Sequence, residues 1–167
     1  LTDAVRVHLT SDVPVGTCLS GGLDSSTVSV LINRLIRQEK PRSIGERQKT
    51  FSITYADPRF SEGRYIDEVV RATGVDARRE VTRPGDILED LPRLLLMQDE
   101  PFGSLSIAAQ YRVMKLASQS VKVVLDGQGG DEELGGYLAY QGSYILGLLQ
   151  GLYLSTAMGE LLGSLRT

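Results

Sequence analysis

The sequence predicts an α/β protein, a three-layer α/β/α arrangement around a mainly parallel sheet. Two observations carry this. Short β-branched runs alternate with amphipathic stretches of about 10 to 15 residues, the pattern of strands joined by covering helices. No internal repeat or low-complexity tract interrupts that alternation.

The first strand is expected in "VPVGTCL", Val13 to Leu19, opened by Pro14. A helix follows, because Val28, Leu31, Ile32, Leu35 and Ile36 recur at helical spacing through Gln38, and the Lys40-Pro41 step marks its exit. Arg42 to Lys49 reads as a loop. "TFSITY" then alternates Phe51, Ile53 and Tyr55 as a second strand does. Ile66, Val69, Val70 and Thr73 share one face of the next helix, which stops at Gly74. "ARREVT", Ala77 to Thr82, is a weaker strand. After it comes a Leu-rich helix around Ile87 to Met97, in which Pro92 must kink the chain or occupy a first turn. A further helix runs through Ile107, Tyr111 and Met114. "VKVVL", Val121 to Leu125, reads as a fourth, buried strand.

With 167 residues and 41% hydrophobic content, the chain can bury one real core. Its net charge of −3 has no basic block within it, which argues against a nucleic-acid or membrane surface and for a small molecule or protein as partner. A single cysteine, Cys18, excludes a disulfide framework and any Cys-rich zinc site; with no signal peptide, a cytoplasmic protein is expected. The start at Leu1, without methionine, raises the expectation of a piece excised from something longer. The apolar tail from Tyr144 to Leu165 is broken by four glycines, Gln150 and Glu160, so helices packing on a further segment are expected there rather than a membrane span. Exposed apolar surface on such helices would favour a homodimer or aggregation. His8 lacks partners for a triad or metal site and is expected at the surface, and the charges of "RYIDEVVRA" are expected to face water.

In a parallel sheet, ligands bind beyond the carboxyl ends of strands. Two loops there carry chemistry. In "LSGGLDSS", Leu19 to Ser26, Gly21 and Gly22 let the backbone approach an anion, while Asp24, Ser25 and Ser26 stand where a helix begins. Free N–H groups and the helix dipole favour phosphate at that point, though an N-capped β-α turn uses the same residues. Asp24 would repel phosphate unless a divalent cation intervenes, so the loop implies Mg2+ if it implies a nucleotide. The second loop, "LDGQGGDEELGGY", carries five glycines and four carboxylates directly after the fourth strand. Asp131 in it could supply a second hard oxygen ligand; an acidic loop capping the next helix is the alternative. Neither a Walker-type lysine loop nor a dinucleotide G-x-G-x-x-G fingerprint is present.

"SDVPVGTCLSGGLDSS", "FSITY", "DEPFGSLSI" and "VKVVLDGQGGDEELGGY" together resemble the synthetase domain of glutamine-hydrolysing asparagine synthetases, over about Ser11 to Tyr140. The S-G-G-x-D-S motif is shared more widely with ATP pyrophosphatases, the PP-loop group. The resemblance implies an adenine-nucleotide α-hydrolase-like fold, with a synthetase core over residues 1–140, a truncated helical extension over 141–167, and no N-terminal glutaminase domain within the chain. It implies ATP and Mg2+ as cofactors and aspartate and ammonia as substrates, the ammonia coming from glutamine. The aspartate side chain would attack the α-phosphate to give β-aspartyl-AMP and pyrophosphate, and ammonia would displace AMP.

By position, the resemblance makes Ser20, Gly21, Gly22, Asp24, Ser25 and Ser26 the pyrophosphate loop, with Asp24 and Asp131 as magnesium ligands. Cys18 or Leu19, with Ile53, would touch the adenine; Asp126 and Gly127 would approach the α-phosphate and ribose. Glu100 matches an acidic position near the reacting centre. Two positions depart from the best-known synthetases: Asp126 replaces a serine and Gln128 a glutamate, and Gln128 cannot act as a base. The family's catalytic lysine lies past Thr167, and Lys40, Lys49, Lys115 and Lys122 stand at no matching position. The chain alone is therefore not expected to make asparagine. An enzyme activating another carboxylate, as β-lactam synthetases do, or a non-catalytic ATP-binding module would use the same loops.

Overall fold

In a computed structural model, residues 1–164 are described apart from Lys40, Glu46 and Pro58. The chain forms two compact units, Leu1–Gly127 and Gln128–Thr167.

The first unit contains a four-stranded parallel sheet of β1 (Val15–Cys18), β2 (Lys49–Tyr55), β3 (Asp76–Thr82) and β4 (Val123–Leu125), in the order β3-β2-β1-β4. Its helices are α1 (Thr2–His8), α2 (Leu23–Glu39), α3 (Gly63–Thr73), α4 (Pro84–Gln98) and α5 (Ser106–Ser118). Strand side chains alternate between faces, so the register assigns each residue to a layer. Thr17 pairs with Thr50, placing Val15, Thr17 and Leu19 with Gln48, Thr50 and Ser52 on one face. There Val15 packs against Val28, Ile32 and Leu35 of α2, with Val5 and Leu9 from α1 and its exit closing the cluster. On the other face Phe51 packs against Ala117 and Val121. The Phe51 ring lies across β1 at Gly16, where a β-carbon would stand 2.6 Å from Cε2.

The α/β class and the order of strands and helices agree with the sequence reading, and the differences have physical causes. α1 was not anticipated, because a seven-residue helix burying only Val5 leaves little periodic signal. β4 is shorter than expected and is not a buried strand: it forms one edge of the sheet, and Val123 is 38% exposed. In α4, Pro84 takes the first turn, where its missing N–H costs nothing, and Asp86 accepts the Arg83 N–H at 2.8 Å. Pro92 sits inside the helix on its exposed side, so the carbonyl it leaves unpaired is open to water. α3 ends at Gly74 in the left-handed conformation (φ 70°), whose N–H bonds Val70 O. Lys40, in the expected exit of the first long helix, lies outside the described residues.

Arg112 of α5 fastens the layer over β3. It is only 12% exposed and pairs with Asp90 at 2.6 Å and Glu80 at 2.7 Å. Burial opposes its charge, but Asp90 and Glu80 outweigh that and raise its pKa above the ordinary arginine value. His8 is exposed, and Arg79–Asp67 and Arg71–Glu68 pairs line the outer side of α3.

The second unit holds α6 (Gly130–Leu134), α7 (Leu138–Gln150) and α8 (Leu154–Ser164), with α7 packed on α8. Tyr137 donates to Glu132 Oε1 at 2.9 Å and meets the Tyr140 ring edge to face. Leu146, Leu149, Leu161 and Leu162 stay exposed. Among the described residues no helix is long and apolar enough to cross a membrane.

Candidate nucleotide site

The strand order creates a switch point. From β1 the chain proceeds outward to β2 and β3, then returns to place β4 on the other side of β1. The loops after β1 and β4 therefore leave the sheet at its switch point, on the carboxyl edge where open α/β folds take their ligands. Ser20 to Ser26 leave β1 at this point, and Asp126 and Gly127 leave β4.

The first loop is held by its own hydroxyls. Ser25 Oγ accepts the Ser20 N–H at 3.2 Å and lies 2.9 Å from Ser20 Oγ, while Gly22 N–H donates to Ser20 Oγ at 3.2 Å. Gly21 turns with φ +94°, and a β-carbon there would stand 3.0 Å from Glu62 O and 3.2 Å from Tyr65 Cβ. Glycine is needed on both counts. Glu62 and Tyr65, at the start of α3, thus back the loop; nothing in the sequence pattern marked them. Beside them, beyond β2, opens a cleft of about 740 Å³ walled by Tyr55, Phe60 and Arg64.

α2 begins at Leu23, and Ser26 N–H bonds Gly22 O to close its first turn. The N–H groups of Leu23, Asp24 and Ser25 have no acceptor among the described residues. They form a cluster of donors at the positive end of a 17-residue helix. The Asp24 carboxylate is half-buried and unpaired among the described residues. Against this helix start lies Gly127: a β-carbon on it would stand 2.8 Å from Ser25 N and 3.0 Å from Asp24 Cβ. Its N–H donates to Asp126 Oδ1 at 2.6 Å. The two loops come together through a position that only glycine fits.

Leu19 is fully buried in the α2 layer; its N–H bonds Phe51 O at 2.9 Å and its carbonyl accepts Ser52 Oγ at 2.6 Å. Cys18 and Ile53 share the opposite face. Burial, with help from Asp126, pushes the Cys18 thiol up to about 12. Glu100 stands exposed in the turn between α4 and α5, after Asp99 in the left-handed conformation, and among the described residues no hydrogen bond or ion pair ties it to the loops. Asp131 lies in the second unit, in the first turn of α6 after Gly129 (φ 95°). Ser20, Gly21, Gly22, Asp24, Ser25, Ser26, Asp126 and Gly127 are the expected site residues that the first unit gathers at the carboxyl edge of the sheet.

A parallel α/β sheet with a hydroxyl- and glycine-rich loop feeding a donor-bearing helix start is the arrangement in which open α/β folds receive anionic ligands. The sequence matches the asparagine synthase family over residues 1–163. It is 36% identical over 152 residues to a putative glutamine-hydrolysing asparagine synthetase of Methanocaldococcus jannaschii, covering 91% of this chain and 28% of that protein. It is also 36% identical over 139 residues to asparagine synthetase 1 of Bacillus subtilis, covering 83% of this chain and 21% of that protein. The chain belongs to the asparagine synthase family, and spans about a quarter of the length of these relatives. Among solved structures, ammonia-dependent NAD synthetase from Campylobacter jejuni shares the fold, with TM-score 0.52 and 18% identity over 81% of this chain and 57% of that one.

Proposed function

We infer that this chain is the nucleotide-binding core of an ATP-dependent amide-forming ligase, one that activates the side-chain carboxylate of aspartate. The observation that carries the reading is the meeting of Gly127 with the donor-bearing start of α2. It keeps the helix start clear of any side chain from position 127, at the switch point where a polyphosphate is best received. Membership of the asparagine synthase family supports the amide product.

A carboxylate has no usable leaving group, so it is first joined to one. An aspartate side-chain oxygen attacks the α-phosphorus; the bond to the β-phosphate breaks and pyrophosphate departs. Ammonia then attacks the activated carbonyl carbon and AMP leaves with the carboxylate oxygen it acquired. In this reading the N–H groups of residues 23 to 25 and the loop hydroxyls of Ser20, Ser25 and Ser26 hold the departing pyrophosphate. They are in position before reaction, so charge developing there needs no reorganisation. Gly127 and Asp126 approach the α-phosphate and ribose, with Cys18 or Leu19 and Ile53 beside the adenine. The high pKa of Cys18 suits contact with an apolar ring and not nucleophilic chemistry.

Magnesium fits the donor set. It binds through one or two carboxylates with phosphate and water completing the shell, and Asp24 offers a half-buried carboxylate, unpaired among the described residues, at the start of α2. Bound there, it would neutralise charge on pyrophosphate. Asp131 as a second ligand, Glu100 near the reacting centre, a glutamine-hydrolysing partner as the ammonia source, a homodimer and a cytoplasmic setting complete the proposal on the sequence pattern.

The test is pyrophosphate release from ATP by the intact protein that carries this chain, with calorimetric titration of ATP in magnesium. Aspartate-dependent release supports the reading. Release only with another carboxylate corrects the substrate, binding without release reduces the chain to a nucleotide-binding module, and failure to bind ATP overturns the site.

A further inference from the structure

The sheet face covered by α2 is unusually polar for a core. Thr17, Thr50 and Ser29 are 0% exposed and Gln48 is 1% exposed. Gln48 Nε2 donates to Thr17 Oγ1 at 2.9 Å. Gln48 Oε1, Thr50 Oγ1 and Ser29 Oγ have no partner among the described residues. Turning the Gln48 amide around exchanges which end is orphaned and cures nothing, since Thr17 can satisfy only one of them.

Thr17, Thr50 and Gln48 lie side by side on this face. Thr17 and Thr50 are register partners on adjacent parallel strands, with side chains on the same face, and Gln48 is bonded directly to Thr17. Ser25 is anchored to Ser20 at the top of β1, and Ser29 lies four residues down the same buried side of α2. Four residues of helix descend about 6 Å and two residues of strand about 6.6 Å. Ser29 therefore stands about two strand residues below Ser20, one residue above the Thr17–Thr50 pair.

We propose that an internal water binds here, between α2 and the β1–β2 pair, bridging Ser29 Oγ, Thr50 Oγ1 and the free end of the Gln48 amide. Three fully buried polar groups without partners are costly. A water with three protein partners is the ordinary way such groups are satisfied. Both of its walls connect to the phosphate loop: Ser29 through one helical turn to Ser25, and Thr17 through two strand residues to Leu19. The bridge thus ties α2 to the sheet directly below the nucleotide site without any change in the site's own residues.

A crystal structure of the intact protein at about 1.5 Å or better tests this. The expected result is a well-ordered water within hydrogen-bond distance of at least two of the three orphan groups, lost in the Gln48→Leu/Thr50→Val variant. Density showing the groups paired with one another or with backbone, and no water, overturns the proposal. If the variant does not fold, the wild-type map alone decides. Long-lived water contacts to the amides of Thr17 and Thr50 in solution NMR give an independent reading; their absence from well-resolved amides counts against it.

Discussion

Gly127 and Ser25 approach so closely that a β-carbon on the first would crowd the amide nitrogen of the second, at 2.8 Å. In the proposed function that nitrogen is one of the donors to phosphate, which would make steric fit and binding inseparable. Gly127→Ala must push the two loops apart. Overpacking of this kind costs about 1–3 kcal/mol; borne by the binding geometry, that is a loss in ATP affinity of about 5- to 150-fold. Titration calorimetry of the variant is the direct check, with unchanged affinity as the contrary result.

Gly21→Ala meets two obstacles, a φ of +94° and the Glu62 carbonyl. A left-handed conformation at a residue with a β-carbon costs about 1–2 kcal/mol by itself. The expected result is a lower melting temperature together with weaker ATP binding, measured by thermal unfolding with and without nucleotide. Addition of ATP should raise the variant's melting temperature by less than it raises that of the parent.

Asp24→Asn separates the two charges that this carboxylate faces. Without magnesium, removing a negative group beside phosphate should leave ATP binding equal or improved. With magnesium, affinity should fall, so the stimulation of binding by the metal shrinks severalfold. Paired titrations with Mg2+ and with a chelator decide this. An unchanged magnesium response would remove Asp24 from the metal's shell.

The Cys18 thiol has its pKa raised from 9.0 to about 12 by burial and then by Asp126. The unfolded chain gives up this proton near the lower value, the folded chain only near the higher one. The folded state therefore holds the extra proton, and its contribution to stability is complete below about pH 9 and declines between about 9 and 12. Denaturation midpoints should fall more steeply over that range in the parent than in Cys18→Ala. In the native protein at neutral pH, thiol reagents should react slowly with Cys18, because it is buried and protonated.

Arg112→Met leaves Glu80 and Asp90 without their guanidinium beneath α4 and α5. Breaking a buried pair by removing one partner costs about 3–5 kcal/mol. Since the carboxylates here retain some exposure, the lower end is expected. Urea unfolding measures it, and ATP binding by the folded fraction should persist.

The alternation of β-branched runs with helical periodicity made the sheet and its covering layers legible, and "LSGGLDSS" made legible the glycine turn and the helix start that follow β1. What the sequence could not carry was neighbourhood. That β4 forms an edge depends on strand order, which no local pattern encodes. That Glu62 and Tyr65 back Gly21 depends on where α3 starts in space, though both sit in a stretch that reads as an ordinary charged helix. Gly127 was legible as a glycine in a loop, but its necessity lies in Ser25, a hundred residues away in the chain. Arg112 gave no signal, because its carboxylates come from β3 and α4.

The Phe51 ring crosses β1 only because position 16 has no side chain. The two positions are thus one unit of inheritance. A methyl at 16 becomes tolerable only after 51 has shrunk, and a smaller 51 opens a gap that a larger 16 would close. Among natural variants of this chain the pair should change together or not at all, with an aromatic at 51 found only opposite glycine.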